Sequence, residues 1–96
     1  MFPERIKQLR EECQLPLRKI ASALDIDSAT YWKIERGERR ARKEQIPIIA
    51  EILQADQDEL LSLWLADQVY SVVKDEKNAD KALIIVTENM IEHGKR

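Results

Sequence analysis

The chain has 96 residues, 44 % of them apolar and 35 % charged, with 2 Gly, 3 Pro and 1 Cys. That is one small domain or a domain with a short appendage, with no internal disulfide, no multi-thiolate zinc site and no run near the roughly 20 apolar residues of a membrane span. The formal charge of −2 hides an asymmetry: residues 1–43 carry eleven Lys/Arg against seven Asp/Glu, a net +4, and residues 44–96 carry five against eleven, a net −6.

Phe2, Ile6, Leu9 and Cys13 recur at i, i+4, i+7 and i+11 and predict a first helix with these four on its inward stripe. Pro16 cannot continue that helix but suits the opening of the next, in which Leu17, Ile20, Ala21 and Leu24 repeat. Asp25 suits a left-handed corner and Ile26 an apolar plug beneath it. Asp27 is an N-cap for a third helix from about Ser28 to Arg36, which Gly37 stops. A basic loop, Glu38 to Lys43, follows.

Ile46, Ile49, Ala50 and Leu53 predict a fourth helix with Pro47 in its first turn, where a missing N–H costs little. Asp56 and Glu59 form a capping-box pattern at the start of a fifth. That helix is apolar on more than one side, from Leu60 and Leu61 to Val72 and Val73. Past a charged hinge at Lys74–Lys77, the repeat of Ala79, Ala82, Leu83, Val86 and Met90 predicts a sixth helix ending near His93-Gly94. The expected fold class is all-α, with residues 1–66 as the main domain and 67–96 as a helical extension.

Two short helices joined by a tight turn form the helix-turn-helix plan. Ala21 permits the close approach of the two helices, Ile26 fills the corner, and Tyr31 and Ile34 anchor the back of the second helix. The outward face of that helix is then Ser28, Ala29, Trp32, Lys33 and Arg36. Leu17-Arg18-Lys19-Ile20-Ala21, Leu24-Asp25-Ile26-Asp27 and Lys33-Ile34-Glu35-Arg36-Gly37-Glu38-Arg39 resemble the phage-repressor/Cro (Xre-type) helix-turn-helix domain over about residues 3–66. The family's usual Ser-Gln at the start of helix two is Pro16-Leu17 here, and its turn Gly is Asp25.

The resemblance implies a five-helix repressor-like bundle, here with an additional C-terminal helix, and a third helix lying in the DNA major groove. It also implies an ion pair between Arg10 and Glu35 that ties helix one to helix three. It suggests a transcriptional regulator of bacterial or phage origin: a phage-type repressor, a restriction–modification controller or an autoregulating antitoxin. Phosphate contacts set affinity and base contacts set sequence preference. The expected base contacts are Ser28, Ala29, Trp32 and Lys33, with Ala29 suited to a thymine methyl and Lys33 to guanine O6/N7. For Trp32 the alternative is that it covers the domain's own surface. The expected phosphate contacts are Arg18, Lys19, Thr30, Arg36, Arg39, Arg40, Arg42 and Lys43. Activation would need a patch that touches polymerase, for which the acidic residues Glu35 and Glu38 are candidates.

The surplus of apolar residues beyond residue 60 points to a homodimer through Leu63, Trp64, Val69, Tyr70, Val73, Leu83 and Val86. The alternative is that helix six folds back over its own domain. A dimer of this plan reads two half-sites spaced by about 10 bp or a multiple. The competing function is a protein-interaction module, an adaptor or antitoxin whose acidic helical tail grips another protein. His93 is alone, and there is no phosphate-cradling Gly loop or nucleophile elbow, so neither an enzyme nor a cofactor is expected. MFPERIKQLR lacks the apolar stretch of a signal peptide, which predicts a cytoplasmic protein.

Overall fold

The computed structural model describes residues 1–94, so the last two positions of the expected 67–96 extension lie outside it. Among the described residues six helices follow one another: α1 (Phe2–Glu12), α2 (Leu17–Ala23), α3 (Ser28–Glu35), α4 (Ile46–Leu53), α5 (Gln57–Val73) and α6 (Ala79–His93). A 3-10 turn, Lys43–Gln45, leads into α4. The described residues contain no strand, and the class is all-α, as the periodicities predict.

The core holds Phe2 and Ile6 of α1, Ile20 and Ala21 of α2, Tyr31 and Ile34 of α3, Ile46, Ile49, Ala50 and Leu53 of α4, and Leu60 of α5. Each fully buried Ile, Leu or Phe side chain among them contributes about 1.5–3 kcal/mol. α2 packs on α3 and α4, α1 on α3, α4 and α5, and α5 on α4.

Three corners carry left-handed residues without being glycine: Gln14 (φ 55°), Asp25 (φ 58°) and Gln54 (φ 54°). Asp25 is the expected corner between α2 and α3; the Ile26 N–H reaches back to the Ala21 carbonyl at 3.0 Å and seats Ile26 against the core. Gly37 (φ 77°) ends α3 in the same region. A Cβ there would meet nothing nearer than Pro3 Cγ at 3.8 Å, so backbone conformation, not space, calls for glycine.

Two local expectations are corrected. Cys13 is exposed rather than inward: α1 has already ended, Cys13 is its C-cap, and the following left-handed Gln14 turns the chain away. The Cys13 thiol points at the Leu53 carbonyl, 3.7 Å away. At α5, Asp56 caps as expected, accepting from the Asp58 N–H at 3.0 Å. Glu59 does not close a capping box; its carboxylate accepts from Arg5 Nε at 2.9 Å, so α1 and α5 are tied together instead.

α6 has no buried residue and belongs to none of the closely packed helix pairs. In this structure helix six is not folded back over its own domain, the alternative arrangement expected for it. Apart from Met1, Trp32 and Ile48, every exposed large hydrophobic side chain among the described residues lies between Leu65 and Ile91. The radius of gyration is 15.5 Å, against about 12.5 Å for a compact chain of this length. The accessible surface is 7154 Å², whereas a compact monomer of 11.2 kDa exposes roughly 5,700 Å².

Candidate nucleic-acid interface

α3 is held as a rod with one wet face. Its N-terminus is fixed by Asp27, whose carboxylate accepts from the Thr30 N–H at 2.7 Å. The Thr30 hydrogen bonds, with Lys33 and Arg39 adding positive charge, keep the Asp27 carboxyl below the ordinary aspartate range. Tyr31, Ile34 and Glu35 are buried. At 100° per residue, Ser28, Ala29, Trp32, Lys33 and Arg36 occupy the opposite arc, and all five are exposed.

The back of α3 is clamped by charge. Arg10 of α1 donates to both Glu35 carboxylate oxygens, at 2.8 and 3.2 Å, and its third contact is the Leu15 carbonyl at 2.9 Å. The Arg10 and Glu35 side chains are only 15 % and 3 % exposed. A two-pronged guanidinium–carboxylate pair in so dry a site fixes orientation as well as distance. The bond to Glu35 raises the Arg10 guanidinium above its ordinary range. Burial, followed by the neighbouring Glu35 charge, pushes the Tyr31 phenol far above its own. The Tyr31 hydroxyl faces this carboxylate without making a well-aligned hydrogen bond to it. Buried and paired, Glu35 does not form the acidic surface patch considered for activation.

Trp32 is 46 % exposed, and the Arg36 guanidinium lies over its indole, 4.4 Å from the ring centroid. Arg36 Nε also pairs with Glu38 at 2.9 Å. Of the expected phosphate contacts, Arg36 is therefore engaged within the chain, while Arg18 and Lys19 on α2 stand exposed. Thr30 is half-buried, with its amide already capped.

The loop after Gly37 is anchored at three points. The Glu38 and Arg39 amides both reach back to the Lys33 carbonyl, at 2.9 and 3.3 Å. The Arg42 N–H donates to Gln45 Oε1 at 2.8 Å. Between them Ala41 is buried, and its carbonyl accepts from the Trp64 indole N–H of α5 at 2.7 Å. Arg39, Arg40, Arg42 and Lys43 remain exposed around this buried residue, Arg40 touching Gln68 Oε1 at 3.4 Å. A shallow cavity of about 330 Å³ lies between the start of α1, this loop and Trp64.

Of the expected dimer residues, Leu63 and Trp64 pack against the chain's own core and Val73 is half-buried. Val69, Tyr70, Leu83 and Val86 stand exposed, joined by Leu65, Val72, Ile84, Ile85, Met90 and Ile91. No described group of His, Cys, Asp and Glu could hold a metal ion, and no described helix is long and apolar enough to cross a membrane.

No curated protein and no solved structure matches the chain. A family described as a helix-turn-helix domain matches residues 3–63, from α1 into the first turns of α5. The chain therefore belongs to the helix-turn-helix domain family of Xre/Cro type, a family of DNA-binding domains.

Proposed function

We propose that the chain is a sequence-specific transcriptional regulator that binds a palindromic operator as a homodimer, with α3 in the major groove. The observation that carries this reading is α3 itself: a capped, clamped helix whose Ser28, Ala29, Trp32 and Lys33 face solvent, followed at once by the exposed cations of the Arg39–Lys43 loop. In this reading Ser28, Ala29 and Lys33 meet base edges and Trp32 packs on a sugar or thymine methyl. Arg18, Lys19, Arg39, Arg40, Arg42 and Lys43 neutralise phosphates. The uncapped amides of the first turn of α3 add partial positive charge, Thr30 approaches phosphate through its hydroxyl, and Arg36 reaches phosphate by leaving Glu38.

Exposed surface supports the dimer in this reading. The accessible area beyond that of a compact monomer is about 1,450 Å², more than the roughly 800 Å² each partner contributes to an interface of standard size. The exposed residues of α5 and α6 supply it, and the acidic half of the chain is thereby held apart from DNA.

Selection from a random duplex pool, followed by binding at low and moderate salt, tests the reading. The expected result is a two-fold symmetric site with half-sites about 10 bp apart or a multiple, and affinity that falls steeply with salt. Binding with no preferred site and no salt dependence would remove it. The apolar exposure of α6 favours one second reading, an adaptor or antitoxin that grips a different protein. A chain that sediments as a monomer at tens of micromolar points to that reading instead.

A further inference from the structure

We propose that Trp64 is a positioning residue for DNA binding: from α5 it fixes the backbone of the basic loop, and so the placement of the cations on either side of Ala41. The inference rests on the DNA-binding reading above. The loop has no helical or sheet ladder to order it. Its first end is held by the Lys33 carbonyl and its second by Gln45 Oε1. The span between has one backbone anchor from outside the loop, the 2.7 Å bond from the Trp64 indole N–H to the Ala41 carbonyl.

That bond lies where it is worth most. Ala41 is 3 % exposed, so its carbonyl has little water to turn to if the indole is lost. Arg39, Arg40, Arg42 and Lys43 carry the loop's charge, yet their side chains do little to hold it, because the one contact to α5 is Arg40 to Gln68 at 3.4 Å. A loop ordered before DNA arrives does not lose that freedom on binding. The same helix turns Leu65 and Val69 outward. Pairing of two α5 helices would therefore set two basic loops at a fixed separation.

The test compares wild type with Trp64→Phe, which keeps an aromatic ring on the core and removes the N–H. Amide hydrogen exchange over residues 38–43 of the free protein is expected to quicken, with the amides of α2 and α3 unchanged. Operator affinity is expected to fall roughly five- to tenfold, the equivalent of one hydrogen bond. Leu9→Ala, which disturbs the core from α1, is the control: it lowers Tm and leaves operator affinity alone. A purely structural role for Trp64 would make the two variants behave alike.

In wild type, the Trp64 indole N–H is expected to exchange more slowly than that of exposed Trp32. Equal rates would deny the anchor without recourse to a variant. If wild type shows no salt-steep DNA binding, the functional reading falls and Trp64 loses its role in binding. If wild type binds and Trp64→Phe matches it in affinity and loop exchange, the functional reading stands and the Trp64 inference alone is overturned.

Discussion

Helices α3 and α6 are both written as helices in the sequence, but they are held in opposite ways. α3 has only 8 residues, too few to persist alone in water, since isolated helices below about 12–15 residues are marginal. It is fixed by what surrounds it: the Asp27 cap, Gly37, the Arg10 clamp and the burial of Tyr31 and Ile34. α6 is nearly twice as long, at 15 residues, yet buries nothing and has no side-chain cap at Asn78. Length and periodicity specify that a helix forms; contacts specify where it lies. α3 thus has a fixed position with a polar face outward, whereas α6 leaves an apolar face exposed.

The contrast breaks hardest at Arg10. Arg10→Met would leave the Glu35 carboxylate buried with no counter-charge, beside a Tyr31 hydroxyl that already lacks a well-aligned partner. The expected loss is about 3–5 kcal/mol in chemical denaturation. Arg10→Met with Glu35→Leu should recover much of it, because the desolvated charge is then gone. A loss under 1 kcal/mol for the single variant would mean that α3 is not held by this pair.

The converse experiment is on α6. Val86→Glu with Met90→Glu puts two charges on its main apolar stripe, where both side chains are more than half exposed. The expected outcome is a monomer by sedimentation and a Tm that no longer rises with protein concentration. Operator binding weakens while helix content is retained. A variant that stays dimeric would place the interface elsewhere.

On α3, Lys33→Ala is expected to cost about 1–3 kcal/mol in operator binding and to relax preference at one base pair. Uniform weakening across all sites would reassign Lys33 to phosphate.

What the sequence disclosed follows the same division. Asp27, Gly37 and Pro47 were legible because caps, stops and first-turn prolines act within a few residues of themselves. The Arg10–Glu35 pair was reached through resemblance alone; no spacing rule joins residues 25 apart. Cys13 was misplaced because periodicity continues through a stretch where the backbone has already left the helix at Gln14. Glu59 fitted a local capping pattern, but Arg5, 54 residues away, offered its carboxylate a full opposite charge. Trp64 falls with the dimer face in the sequence because an amphipathic stripe does not reveal that an indole N–H will meet the Ala41 carbonyl across 23 residues. The outward face of α3 was fully legible in its phase, since Tyr31 and Ile34 fix the inward direction.

The smallest expected effect tests whether α3 owes part of its rigidity to one charge. Asp27 is held below the ordinary carboxylate range by its hydrogen bonds from Thr30, with Lys33 and Arg39 contributing. Its pKa is thus lower folded than unfolded, and protons bind the unfolded chain more readily. The stabilisation it gives is whole above the unfolded value of about 3.9 and is lost as pH falls through the lower folded value. Asp27→Ala should therefore melt below wild type at pH 7, and the gap should close on acidification. Asp27→Asn, which caps without charge, should stay near wild type at neutral pH and show the weaker acid dependence. The Glu4 carboxyl, held below its ordinary range by the N-terminal amine, is the same in all three proteins and cancels. A gap between wild type and Asp27→Ala that persists unchanged in acid would show that the aspartate holds α3 through its shape and not through its ionised form.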